Sequence, residues 1–120
     1  MFQEDWFMRQ VEDFAKMLAK IIFNKETTDY DVFEANNLSN TDLLHFQLIQ
    51  LIDEGKINEA ENLLFDEIET KNKRYLEVAI DFYARLNDLN DTVLENNNFT
   101  RKEIDEGLKE VAGIFGISFI

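Results

Sequence analysis

The chain has 120 residues and a formal net charge of −13, from 25 acidic and 12 basic side chains, with 45% hydrophobic residues and neither Cys nor Pro. That length fits one domain with its own core, and the lack of Cys excludes disulfides and thiolate chemistry. The negative field disfavours phosphate backbones and anionic membrane surfaces, so neither nucleic acid nor membrane is expected as a partner.

Solubility alone accounts for such a charge, and a basic protein partner is compatible with it. Apolar runs such as Ile21 to Phe23 are far too short to cross a membrane. The opening Met1-Phe2-Gln3-Glu4-Asp5 has neither the basic start nor the unbroken apolar stretch of a secretory signal, so the expected compartment is the cytoplasm. With no Pro and scarce Gly, little interrupts helix. The pattern predicts one all-α domain over residues 1–120, with about five helices in antiparallel hairpins, either tetratricopeptide-like or an orthogonal bundle.

The first helix is expected from about Asp5 to Asn24, within an apolar N-terminal element over residues 1–24. Phe7, Val11, Phe14, Leu18 and Ile21 recur at helical spacing, and Trp6, Met8, Ala15, Met17, Ala19, Ile22 and Phe23 widen the stripe. At a helical advance of roughly 100° per residue the apolar arc covers roughly 240°. A helix so broadly apolar is either the central helix of the domain or half of a dimer interface. Residues 25–40 are polar and rich in turn formers, and read as a loop pinned by Tyr30, Val32, Phe33 and Leu38.

Residues 41–70 read as a helical hairpin. Its first helix starts near Thr41, with Ser39, Asn40 and Thr41 as cap donors of side-chain oxygen, and ends before Gly55, which suits a left-handed cap. Its second begins near Asn58 with Glu61 in a weak capping box, and Ala60, Leu63, Leu64 and Ile68 share one face. The short connection makes the two fold back on each other. Residues 72–120 follow as a long helix and a C-terminal one. Tyr75, Ala79, Phe82, Leu86, Leu89 and Val93 alternate spacings of four and three, which predicts a single helix from about Asn72 to Asn96. Thr100-Arg101-Lys102-Glu103 is a capping box for a last helix with Ile104, Leu108, Val111 and Phe115 buried. The apolar tail Ile117-Ser118-Phe119-Ile120 is expected to tuck against the bundle.

Leu44, Leu51, Gly55, Ala60 and Leu64 give the stretch from Leu44 to Glu69 a resemblance to one tetratricopeptide repeat. It departs from that pattern at Leu48, where the family prefers a small residue, and no Pro closes it. One repeat cannot form a solenoid. A broader resemblance rests on Asp5-Trp6-Phe7-Met8-Arg9-Gln10-Val11-Glu12, on Asp53-Glu54-Gly55-Lys56-Ile57-Asn58-Glu59-Ala60-Glu61, and on Glu106-Gly107-Leu108 through Gly113-Ile114-Phe115-Gly116-Ile117. Together these resemble a family of short uncharacterised proteins of low-GC Gram-positive bacteria, a domain of unknown function. The resemblance implies a helical, repeat-like fold and no particular activity.

No catalytic, metal or cofactor set is predicted. His45, the single histidine, makes Asp-x-x-His with Asp42, half of what a di-iron bundle needs, and reads as a partly exposed helix residue. Asp88-Leu89-Asn90-Asp91 resembles part of a calcium loop but lacks its Gly and final glutamate, and reads as surface of the long helix. Lys71, Lys73 and Arg74 are placed to offset the negative end of the preceding helix rather than to hold phosphate.

Three kinds of function remain in play. The leading expectation is a non-enzymatic interaction module for a protein partner, a second copy included, with Phe2, Trp6, Phe7 and Met8 as the docking cluster, because Trp and Met are enriched at interface centres. The alternative is a small-ligand-binding or enzymatic bundle with an inter-helix pocket, for which Tyr75, Tyr83, Arg85 and His45 are the polar candidates. A third is an acidic decoy for a nucleic-acid site, resting on charge alone.

Overall fold

The computed structural model describes residues 2–117, with side chains from Asp5 onward. These form six α-helices and no strand: α1 (Phe2–Phe23), α2 (Asn40–Asp53), α3 (Ile57–Glu67), α4 (Arg74–Asp88), α5 (Asp91–Asn96) and α6 (Arg101–Ile114). The all-α expectation holds, with one helix more than the periodicity suggested.

The extra helix comes from a break in the segment expected to run unbroken from Asn72 to Asn96. Leu89 is extended (ψ 147°) and Asn90 opens α5, its side chain accepting a 2.9 Å hydrogen bond from the N–H of Val93. Asx caps of this kind compete with helix continuation by satisfying the same backbone donors. Arg101 fixes the break from α6. It donates to the carbonyls of Asn87 and Leu89, both at 2.8 Å, and to Asp91 at 2.9 Å. A buried guanidinium thus takes up the carbonyls left free where α4 stops. Asp88-Leu89-Asn90-Asp91 is therefore a helix–helix joint, not the helix surface expected.

The central helix is α4. Eleven of its fifteen residues are buried, and it packs on α1, α2 and α6. Of the two places the sequence left open for α1, the centre of the domain and half of a dimer interface, the first is taken by α4. Helix α1 packs on α4 and α6 alone among its close neighbours, which cover Val11, Phe14, Ala15, Leu18 and Ala19 and leave Ile21 73% exposed. Helices α2 and α3 fold back on each other across Gly55, whose left-handed φ of 74° lets the Lys56 N–H reach the Leu51 carbonyl at 2.8 Å. Ala60 and Leu64 are fully buried in that hairpin. The capping box expected from Asn58 and Glu61 is absent: α3 starts at Ile57, and the side chain of its cap residue Lys56 makes no capping hydrogen bond.

The other caps follow the sequence. Ser39 forms a reciprocal box with Asp42 at the start of α2, and Thr100 does so with Glu103 at the start of α6. Ile104, Leu108 and Val111 are buried as expected, and Phe115 is half-buried just past the helix. Ile117 packs partly buried against the core, while the tail residues 118–120 lie outside the described part.

Residues 24–39 form no helix and run as a strap from α1 to α2. Asn24, with φ of 54°, ends α1 in the left-handed region, and the Lys25 N–H returns to the Ala19 carbonyl at 3.0 Å. Tyr30 is buried and pins the strap as expected. Val32, Phe33 and Leu38 do not; all three are exposed.

Candidate interaction surface and the polar cluster beneath it

The predicted docking cluster sits at the start of α1. Trp6 is 47% exposed, with its ring edge-on to Phe7 at 5.0 Å. Phe7 and Met8 are half-buried, and the Met8 carbonyl accepts a 3.0 Å hydrogen bond from Asn87 of α4. Trp6 is therefore the most exposed of the three, and Met8 helps to seat α1 through its backbone carbonyl. The Phe2 side chain lies outside the described part.

A second constellation, unforeseen from the sequence, lies where the strap crosses α2 and α4. Asp81, 2% exposed, accepts three hydrogen bonds: from the Tyr30 N–H at 2.9 Å, from Arg85 Nε at 2.5 Å and from His45 Nε2 at 3.0 Å. Asp42 accepts from the Tyr30 hydroxyl at 2.5 Å, from the Ser39 N–H at 2.9 Å and from Arg74 at 3.3 Å. Arg74 also donates to Glu77 and, at 2.7 Å, to the Asp31 carbonyl. Its guanidinium lies 4.2 Å from the ring centres of both Tyr30 and Phe33, a cation–π arrangement with two rings. Lys25 bonds Glu77 at 2.9 Å and Asp31 at 3.0 Å. Tyr30 stacks on His45 with ring centres 4.7 Å apart.

The buried carboxylates of this cluster are each matched by a cation, and Lys25 also pairs with the exposed Asp31. Asp42, Glu77 and Asp81 face Lys25, Arg74 and Arg85. Burial works to raise the Asp81 carboxyl, but the bonds from His45, Arg85 and the Tyr30 N–H outweigh it and hold it below the ordinary carboxylate value. Asp42 is held low in the same way, burial being outweighed by Tyr30, Ser39 and Arg74. Burial and the adjacent Asp42 push the Tyr30 hydroxyl up to about 12, so it stays a donor at neutral pH. Each group is engaged in fastening the strap to α2 and α4. His45 is half-buried on α2, as a partly exposed helix residue was expected to be, but its ring turns to Asp81, while Asp42 serves Tyr30.

The signal for this cluster was present in α4. Arg74, Glu77, Asp81 and Arg85, at spacings of three and four, form a charged stripe that ordinary reading assigns to solvent. Only the strap's path reveals that Glu77 and Asp81 are covered, with Arg85 left exposed at the end of the stripe.

Tyr83 makes a separate polar contact. Its hydroxyl donates to Glu61 of α3 at 2.6 Å, and burial together with the Glu61 charge raises its pKa strongly. Burial raises the Glu61 carboxyl as well, partly offset by the Tyr83 bond. The four pocket candidates thus part company: His45 and Arg85 meet on Asp81, Tyr83 goes to Glu61, and Tyr75 is buried beside the charges of Glu69 and Glu67. Three surface cavities of about 260, 230 and 300 Å³ open at the α1–α4 groove, at the strap beside α2, and between α1 and Lys109 of α6; none is lined by these four residues. Among the described residues no three His, Asp or Glu side chains converge to hold a metal, and no helix is long and apolar enough to cross a membrane.

The architecture defines an all-α protein built round one central helix, with a non-helical strap locked down by hydrogen bonds to buried carboxylates. The chain belongs to a family of unknown function (DUF6483), whose pattern covers residues 1–116. No curated protein and no solved structure matches it.

Proposed function

We propose that this protein is a non-enzymatic helical module that holds a protein partner on exposed apolar side chains. The observation that carries the reading is the number of large apolar residues left in solvent around an otherwise closed core, with Phe33 76%, Ile21 73% and Phe46 69% exposed beside the half-exposed Trp6. Exposed aromatics of this size favour burial against another surface. The internal charges of the strap cluster are engaged with one another, which suits a structural role for them. In this reading the α2–α3 hairpin acts as a single tetratricopeptide-like unit, the setting is the cytoplasm, and Trp6 is an anchor for a partner, a second copy included.

The test compares capture from a lysate of the source cells by the wild-type chain, by Trp6→Ser with Ile21→Ser, and by Phe33→Ser with Phe46→Ser. A protein retained by the wild type, lost with one variant, and bound again when both components are purified supports the module. A wild-type chain that retains nothing, and stays monomeric in light scattering, overturns it.

A further inference from the structure

Among the described residues, two buried side-chain oxygens have no hydrogen-bond partner: Asn87 Oδ1 and Asp105 Oδ1. Asp105 lines none of the three surface cavities. Asn87 lines the 260 Å³ cavity in the α1–α4 groove. It is 5% exposed, and its Nδ2 is spent on the Met8 carbonyl at 3.0 Å. A carbonyl can only accept, so that bond fixes which arm of the amide is the donor and leaves Oδ1 as an unmet acceptor. A buried acceptor without a partner is costly, and a group that brings an N–H or O–H to it is favoured in return.

The rest of the lining selects the group. Glu12 and Lys16 of α1 bond each other at 2.9 Å, so their charges cancel. Asp88 of α4 lines the same cavity, and no cation among the described residues pairs with it. The cavity therefore carries the surplus negative charge of Asp88 beside the unmet acceptor of Asn87. A neutral donor such as water meets Oδ1 but brings no charge to Asp88, and an anion is repelled. A bare divalent metal finds too few ligands, because among the described residues no three His, Asp or Glu side chains converge. The remaining lining is short: Ala15 of α1, Ala84 of α4 and Thr28 of the strap. Side chains of this size leave room for an unbranched alkyl chain and give it apolar contact.

We propose that the α1–α4 cavity is a binding site for a primary ammonium on a short alkyl chain. Asn87 Oδ1 and the Asp88 carboxylate accept its N–H bonds, and Ala15 and Ala84 flank the chain. Free aliphatic amines and the Lys side chain of another protein both present this group, and the site reads the chemistry they share. The site goes beyond the interaction module and stands on different residues: neither Trp6, Ile21, Phe33 nor Phe46 lines this cavity. A ligand seated there touches α1, the strap and α4 at once, so occupancy stabilises their packing.

The probe is n-butylammonium chloride, titrated into the full-length chain at constant ionic strength and followed by amide chemical shifts and by the thermal midpoint. Sodium chloride, 1-butanol and tetramethylammonium chloride are the controls; they lack, in turn, the alkyl chain, the charge and the N–H donors. Butylammonium is expected to give saturable shifts at Ala15, Thr28, Ala84 and Asn87 and to raise the midpoint with concentration. The controls are expected to do neither. Asn87→Leu removes the acceptor and is expected to lose at least ~10-fold in affinity. Should that change unfold the chain by freeing the Met8 carbonyl, Asp88→Asn at an exposed position is the second route, with the same expected loss. N-acetyl-lysine methylamide separates the two sources: binding equal to that of butylammonium assigns the site to a partner's Lys, and exclusion assigns it to a free amine. No saturable binding, an equal response to tetramethylammonium or butanol, shifts confined to residues outside the cavity, or full affinity in Asp88→Asn overturns the proposal. Trp6→Ser with Ile21→Ser is expected to bind butylammonium as the wild type does, so loss of the lysate partner and loss of this site are read separately.

Discussion

Replacing Gly107 with Ala pits two physical effects against each other. In an isolated helix the change stabilises by about 1 kcal/mol, because Gly loses more backbone freedom on folding. In this fold the new Cβ would stand 2.5 Å from the Tyr83 hydroxyl oxygen and 2.6 Å from two ring carbons. Tyr83 is fully buried, edge-on to Phe82 at 5.0 Å and bonded to Glu61 at 2.6 Å, so its ring can yield only by disturbing α3 or its neighbour. Overpacking of this kind costs about 1–3 kcal/mol, and loss of a hydrogen bond to a charged acceptor adds about 1.5 kcal/mol at the low end for half-buried Glu61. Against the gain in propensity, Gly107→Ala is expected to destabilise by about 1.5–3.5 kcal/mol net. Urea unfolding followed by circular dichroism measures this directly. In the Tyr83→Leu background, which removes the obstructing hydroxyl and ring, the same substitution should become neutral or stabilising. A Gly107→Ala chain more stable than wild type would refute the account of α6 packed against Tyr83.

Three further expectations concern other parts of the fold. Arg101→Met keeps the apolar stem but frees the Asn87 and Leu89 carbonyls that the guanidinium holds; a loss of about 2–3 kcal/mol is expected, with faster amide exchange in α5 than in α2. Gly55 and Gly113 both have open space where a Cβ would go, but only Gly55 has positive φ; thermal melts should show Gly55→Ala losing about 1 kcal/mol to strain and Gly113→Ala gaining up to ~1 kcal/mol. Asp42 and Asp81 are held below their ordinary values when folded, so the unfolded chain takes up protons first as pH falls below about 4, and stability is lost through that window. Glu61, held above its ordinary value, acts in the opposite sense at the upper edge. The urea midpoint should drop between pH 5 and pH 3, and its pH slope should be shallower in Asp81→Asn; an unchanged slope would mean that Asp81 does not titrate differently on folding.

The sequence by itself determined the helical class and most of the ends. Those depend on local chemistry: Ser39 and Thr100 cap from their own side chains, and Gly55 turns because it alone bears φ of 74° there without strain. The joint at Asn90 shows where local reading stops. An apolar spacing of three and four continues through Leu89, and nothing nearby in the sequence forbids helix; Arg101, on another element, stabilises the break. Periodicity likewise made α1 look surrounded, because it records which residues can be buried and not which faces acquire neighbours. The Trp6 cluster was legible as apolar, but not the exposure of Trp6 beside the half-buried Phe7 and Met8.

The strap was legible as a loop pinned by Tyr30, but which of its other side chains face inward was decided by tertiary structure. The run Asp29-Tyr30-Asp31-Val32-Phe33-Glu34 gives no sign of which ring points inward. Here Asp81, Glu77 and Arg74 wait on α4 with charges to satisfy, so the strap buries Tyr30 with its polar donors and leaves Phe33 outside. An uncompensated buried charge costs more than an exposed phenyl ring, and that inequality, settled only when α2, α4 and the strap meet, fixes both the buried cluster and the exposed Phe33 ring above it.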